Sequence, residues 1–287
     1  MSTVFFRNKH IKAQDLKISH GNRAMRYGDG CFESIRVIDG CPVFWTNHYQ
    51  RLINTIEYLG IDFDYEQREL CNWISELLTH NKVTNGGLRI QVFRDGGGKY
   101  FPETNKGCLL MECSEDGVLG YPAPVLENEA HVFDRIRLPE HEFGNYKALN
   151  KSIHIAAAVE ARQKGMQEAI ILNTAENIAE AVSSNLFILK DGILKTPKLA
   201  DGCLNGIIRG IIIDSTLSNI KEVREESFGM EELLRSDEIW ASNAGSGISV
   251  ISQIGKATFN AKTANMAQVE LCAAALNSCL GFRENLT

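Results

Sequence analysis

Proline is scarce in this chain, at 6 of 287 residues, and only 8% of its residues are aromatic. Six prolines with 24 glycines exclude collagen-like and low-complexity architectures. No uninterrupted apolar run approaches the ~18 residues that a membrane helix needs. A candidate such as Gly206 to Ile213 is broken by Arg209. An excess of positive charge is missing as well. Lys+Arg total 30 against Asp+Glu 36, for a net charge of -6. Duplex nucleic acid and anionic membrane therefore find no electrostatic footprint, and neither is expected as a partner. The 8 cysteines form no C-x-x-C and no paired-knuckle spacing, and the 7 histidines form no H-E-x-x-H. No metal is expected, and the thiols read as free and buried. Met1 to His20 has no apolar core of signal-peptide length. A reducing cytoplasm is the expected setting.

What is present is ordinary for a globular protein: 44% hydrophobic and 23% charged residues. The length suits one large domain or two of usual size. Val4 to Phe6 and Lys9 to Lys12 read as paired strands. Cys31 to Ile38 alternates as a strand, with an Asp39-Gly40 turn and Pro42 to Trp45 as its hairpin partner. The period then changes. Thr46 suits an N-cap, and Tyr49, Leu52, Ile53, Ile56 and Leu59 follow helical spacing up to Gly60. A second helix is expected over Glu66 to Asn81, and strands over Leu88 to Phe93 and Cys108 to Cys113.

Ser114 to Glu127 holds two Pro, two Gly and several acids, so it reads as a linker. It divides the chain into a smaller N-terminal domain (1–115), a linker (116–127) and a larger C-terminal domain (128–287). The second half opens on a strand, His131 to Leu138, and a helix from about Asn150 to Lys164. Strands follow at Glu168 to Leu172, Ile178 to Ala181 and Leu186 to Leu189. A helix then begins after Asn205-Gly206 and reaches about Leu217. Glu238 to Ala241, more strand within Ile248 to Phe259, and a helix over Thr263 to Cys279 complete the chain. Hairpins mixed with helices predict the α+β class.

Several short motifs carry chemistry. Tyr27-Gly28-Asp29-Gly30 fails as a dinucleotide loop, since a strand follows and a third glycine is missing. Gly96-Gly97-Gly98-Lys99 fails as a P-loop, because Phe93 and Tyr100 occupy its key positions. It remains a flexible loop flanked by Arg94 and Lys99. Gly206-Ile207-Ile208-Arg209 opens a helix, and Asn243-Ala244-Gly245-Ser246-Gly247 follows a strand. Both are geometries in which backbone N–H groups receive phosphate, though ordinary turns use them too. Glu180 stands in an apolar strand, where an acid needs a partner. Lys147 precedes a helix, where most lysines are solvated surface charges.

Taken in order, these segments resemble the fold-type IV pyridoxal-phosphate enzymes. That family includes branched-chain aminotransferases, D-amino-acid aminotransferases and aminodeoxychorismate lyases. The resemblance runs through Arg26 to Arg36, His48-Tyr-Gln-Arg-Leu52, Lys147-Ala-Leu-Asn150, Glu180 to Phe187, Asn205 to Arg209 and Ser242-Asn-Ala244. It implies a two-domain fold like that of D-amino-acid aminotransferase, with a small α/β domain and a larger mixed-sheet domain. It implies pyridoxal 5'-phosphate as cofactor, with Lys147 forming the internal aldimine and acting as general base. Glu180 would face the pyridine nitrogen. Arg51 would grip the phosphate, with the Ile207 and Ile208 amides, Asn243 and Ala244. Tyr27, Phe32, Arg89 and Lys99 would line the substrate side. The site would lie between domains, and the assembly would be a homodimer.

Phe32-Glu33-Ser34 resembles the aminotransferase pattern. The reading taken first is therefore a transaminase for a small amino acid of branched-chain or D-amino-acid type. Ile208 and Ala244 lack hydroxyls usual in aminotransferases, and the Arg94 to Tyr100 loop resembles that of the lyase. Aminodeoxychorismate lyase, releasing pyruvate and p-aminobenzoate, is the alternative. A degenerate homologue that only binds a phosphorylated ligand is the third reading.

Overall fold

A computed structural model describes residues 2–124 and 128–286. The last three residues of the expected linker, 125–127, lie outside them. Contacts group the chain into two units. One is Met1–Gly120 with Tyr146–Asn150 and Ala274–Thr287; the other is Tyr121–Asn145 with Lys151–Ala273.

The first unit holds β1 (Thr3–Phe6), β2 (Lys9–Lys12), β3 (Gly30–Ile38), β4 (Cys41–Pro42), β5 (Gly86–Arg94) and β6 (Gly107–Glu115). They form one antiparallel sheet in the order β2-β1-β6-β5-β3-β4. Ser34 pairs with Arg89 and Glu33 with Ile90. Side chains alternate across a strand, so Phe32, Ser34 and Arg89 share one face, and Glu33 and Ile35 take the other. The helices are α1 (Arg23–Tyr27), α2 (Trp45–Tyr58) and α3 (Gln67–Asn81). Along α2, Trp45, His48, Arg51, Leu52, Thr55 and Ile56 are buried, at the spacing of one helical face. That face packs on β3.

Two expectations need correcting here. The hairpin partner of β3 is Cys41–Pro42 alone, because Trp45 already belongs to α2. The N-cap of α2 is Phe44, not Thr46; Phe44 sits at φ 53, and its N–H donates to Ser278 Oγ at 2.7 Å. Strand β6 runs to Glu115, immediately before the linker expected over 116–127. Helix α1 was not foreseen: Asn22 caps it through Met25 N–H, and Gly28 ends it in the left-handed region.

In the second unit, β7 (Ala130–Leu138), β8 (Glu168–Asn173) and β9 (Ile178–Ala181) form a mixed three-stranded sheet. A five-stranded sheet follows in the order β12-β11-β10-β13-β14. Its members are β10 (Asn185–Lys190), β11 (Ile193–Thr196), β12 (Glu222–Glu225), β13 (Glu238–Asn243) and β14 (Gly247–Val250). A small pair, β15 (Gln253–Ile254) and β16 (Ala257–Thr258), completes the strands. The helices are α4 (Ser152–Gln163), α5 (Ile207–Asp214), α6 (Met230–Leu234) and α7 (Lys262–Glu284). The end of α7 is counted with the first unit. Strand β8 is buried on both faces: Ile170 and Leu172 join one apolar cluster, and Ala169 and Ile171 join another with Ala157 and Ala161 of α4. The fold is α+β, as expected.

All eight cysteines are free; six are buried, while Cys113 and Cys272 are half-buried. Among the described residues, no group of three or more His, Cys, Asp or Glu could hold a metal ion, and no helix is long and apolar enough to cross a membrane.

Candidate active site

Lys147 enters the first unit on a short piece of chain, Tyr146–Asn150, laid beside β3. Phe32 N–H donates to the Lys147 carbonyl at 3.0 Å, and Leu149 N–H to the Gly30 carbonyl at 2.9 Å. These backbone bonds set the amine above Phe32, with Nζ 4.5 Å from the ring centre. The Arg89 guanidinium lies 4.2 Å from the same centre and reaches Ser34 Oγ. The structure thus brings Lys147, Phe32 and Arg89 together around one aromatic ring, a favourable place for cations.

On the opposite face of β3, Glu33 meets α2. Its carboxylate accepts Arg51 Nε at 2.8 Å and Nη2 at 2.6 Å, and His48 Nδ1 at 2.7 Å. His48 and Arg51 stand three residues apart on one helical face, which is why a single carboxylate can take both. Burial alone would raise the Glu33 carboxyl. The Arg51 charge and the bonds from Arg51 and His48 outweigh it and hold the group down at about 2. Burial pushes His48 the other way, below its ordinary value, and the Arg51 and Lys147 charges add to that against Glu33. The ring is therefore neutral at neutral pH. Because Glu33 has no proton to give, His48 carries its own on Nδ1. Its Nε2 is buried and has no hydrogen-bond partner among the described residues. Arg51, expected to grip phosphate, thus has part of its donor fork committed to a carboxylate.

Tyr27 and Lys99 belong to a second cluster. The Arg23 guanidinium lies over the Tyr27 ring and donates to the Gly97 carbonyl at 3.2 Å and the Lys99 carbonyl at 2.6 Å. It is paired with Asp29 at 2.6 Å. The glycine-rich loop, read as flexible, is held by these bonds and by Glu103 on Gly97 N–H. Arg94 is structural: Asp29, Asn105 and the Leu59 and Gly60 carbonyls take its donors.

In the second unit, Glu180 lies on β9, where every residue is buried. A register shift between Ile171 and Leu172 of β8 leaves Ala179 as an extra residue. Ile178 faces one apolar cluster, while Ala179 faces the cluster under α4. Glu180 pairs with Ile171, a member of that same α4 cluster. The bulge aims the carboxylate at the helix. There Glu180 Oε1 takes His154 Nε2 at 2.7 Å, and Oε2 takes Leu204 N–H at 2.9 Å. Burial opposes ionisation, but the His154 bond, the Lys151 and His154 charges and the Leu204 N–H keep the carboxyl below its usual range.

Ile207 and Ile208 open α5 in the same unit. Gly206 is the N-cap, so no side chain caps this end. A Cβ there would meet Asn185 Oδ1 at 1.9 Å. Asn185 in turn donates to the Leu204 carbonyl at 2.7 Å, fixing the approach to the helix. The Asn243 side chain is spent on its own loop and on Ser184. Its Oδ1 accepts Gly245 and Ser246 N–H at 2.9 Å each, and its Nδ2 donates to Ser184 Oγ at 3.1 Å. What Asn243 and Ala244 offer an anion is therefore backbone.

Each unit carries groups that fit a part of pyridoxal phosphate. An eight-residue helix with a side-chain-free cap suits a phosphate, a buried ionised carboxylate suits a protonated ring nitrogen, and a lysine supplies the amine. Three residues received no role from the sequence: Glu33, His48 and His154. Glu33 and His48 lay in recognised motifs, and an acid within the strand signal Cys31 to Ile38 was the clue to the first. Nothing local marked His154.

Residues 30–254 match the family model described as amino-transferase class IV, and the chain belongs to that family. It is 29% identical over 260 residues to a D-alanine aminotransferase of Staphylococcus epidermidis, covering 88% of this chain and 89% of the relative. It is 28% identical over 264 residues to a provisionally named branched-chain-amino-acid aminotransferase of Methanocaldococcus jannaschii, covering 90% of each. The branched-chain aminotransferase of the thermophilic archaeon Thermoproteus uzoniensis, solved with norvaline, shares the fold. Its TM-score is 0.85 at 24% identity, covering 99% of this chain and 97% of that one. Another branched-chain amino acid aminotransferase of the same fold was solved with pyridoxamine 5'-phosphate. The chain is thus an aminotransferase-family enzyme of a pyridoxal-phosphate class.

Proposed function

We propose that the chain is a pyridoxal-phosphate-dependent transaminase for a small amino acid of the branched-chain or D-amino-acid type. The observation that carries this reading is Glu180, a carboxylate kept ionised by built donors despite its burial. Such a group holds a proton on a ring nitrogen. When bound, the cofactor supplies an electron sink for charge developing on the substrate's α-carbon. Lys147 holds the cofactor and moves the α-proton as general base. Arg51, the Ile207 and Ile208 amides and the Asn243 and Ala244 backbone hold its phosphate. Phe32, Arg89, Tyr27 and Lys99 meet the substrate.

Ile208 and Ala244 favour one alternative, β-elimination from aminodeoxychorismate. The test separates the two. Holoenzyme is incubated with L-valine or D-alanine, each with 2-oxoglutarate, and with aminodeoxychorismate. Glutamate formation with an amino acid is the expected result. Pyruvate and p-aminobenzoate from the last substrate alone would reject transamination. Wild-type protein should be yellow and Lys147→Ala should lose that absorbance. A wild type that stays colourless with added pyridoxal phosphate would sink both enzyme readings and leave the ligand-binding homologue. A homodimer in the cytoplasm belongs to this reading, and light scattering should give twice the chain mass.

A further inference from the structure

Glu180 is held from two sides, and among the described residues one of its two donors is a side chain. Leu204 contributes a backbone N–H to Oε2, while His154 brings Nε2 to Oε1 at 2.7 Å. An ionised carboxylate has no proton to donate. The proton in the short bond therefore sits on His154 Nε2. His154 stands in the first turn of α4, its side chain 12% exposed, directly over the strand that the β8/β9 bulge turns toward it. Lys151, just before α4, and Cys203, next to Leu204, also bear on Glu180 electrostatically, and among the described residues neither bonds to it. A buried carboxylate missing one of two donors would be less firmly ionised and free to rotate.

We propose that His154 is a positioning residue, whose Nε2–H fixes Glu180 in orientation and in its ionised form. It thereby sets how firmly the chain holds a proton on the cofactor's ring nitrogen. This rests on the role assigned to Glu180 above. Outer donors that orient a metal's ligands commonly cost about 10–100-fold when substituted, and a donor that orients this carboxylate is expected to act on the same scale.

The test uses full-length holoenzyme and the variants His154→Phe, His154→Gln and His154→Asn, with Glu180→Gln alongside. The main readout is the pH titration of the visible absorption band, with kcat and KM measured separately. His154→Phe is expected to shift the titration midpoint by about one unit or more and lower kcat about 10-fold or more, with KM little changed. The Gln amide nitrogen reaches the place of imidazole Nε2, so His154→Gln should recover most of the loss. The shorter His154→Asn should not. A wild-type midpoint and kcat in His154→Phe would overturn the proposal. If His154→Phe does not fold, equal behaviour of the Gln and Asn variants would overturn it instead. A Glu180→Gln enzyme with unaltered titration and rate would refute the role of Glu180 itself. A shift in Glu180→Gln with none in His154→Phe removes His154 alone.

Discussion

Glu33 shows how much one side chain depends on partners distant in sequence. Its carboxyl titrates at about 2 against an ordinary 4.5. A folded pKa below the unfolded one stabilises the protein fully above about 4.5, and this contribution is lost as pH falls toward about 2. For a group this buried the linkage amounts to about 3 kcal/mol. Glu33→Gln should therefore be destabilised most near neutral pH, where it also leaves Arg51 without its counter-charge. In urea melts the gap to wild type should close between pH 4.5 and 2. A gap independent of pH would show that Glu33 is not held ionised. Lys147, Glu180 and Arg51 could be singled out as candidates because each stands in a contiguous motif. The Glu33 pairings were not, since they span 15 and 18 residues and exist only once α2 lies on β3. The His154 bond spans 26 residues and depends on a bulge that no local pattern announces.

Among elements, α5 carries the clearest consequence. Gly206 has φ -74, so its backbone would accept any residue. The obstacle is space, since Asn185 Oδ1 occupies the place of a Cβ. Gly206→Ala should push the helix start away from Asn185 at a cost of about 1–3 kcal/mol. The Ile207 and Ile208 amides would move with it. A thermal melt should report the destabilisation, and titration with pyridoxal phosphate should show weaker binding. Binding as tight as wild type would mean that this helix end does not hold the phosphate. Strand and helix interiors were legible from period alone. The start of α2 was not, because Phe44 adopts a left-handed conformation that bulky residues rarely take, alongside a bond to Ser278 far along the chain. Helix α7 also exceeds its expected span. Glu238 accepts Thr263 and Ala264 N–H at 2.8 and 3.0 Å, an anchor invisible to local sequence.

At the scale of the molecule, composition proved a weak guide to chemistry. The net charge of -6 says little about an enzyme whose ligand is itself anionic, because a handful of placed cations matter and the sum conceals them. Nor can local composition tell which distant strand a short segment will join. Tyr146–Asn150 illustrates this, since it is bonded to β3 through Lys147 and Leu149 and counts with the first unit. Lys147 is therefore carried by the same ladder that carries Phe32 and Glu33. In hydrogen exchange, the amides of Phe32 and Leu149 should open together, with one shared protection factor. The Lys147 amine would then inherit the slow breathing of the sheet and not the fast motion of a loop.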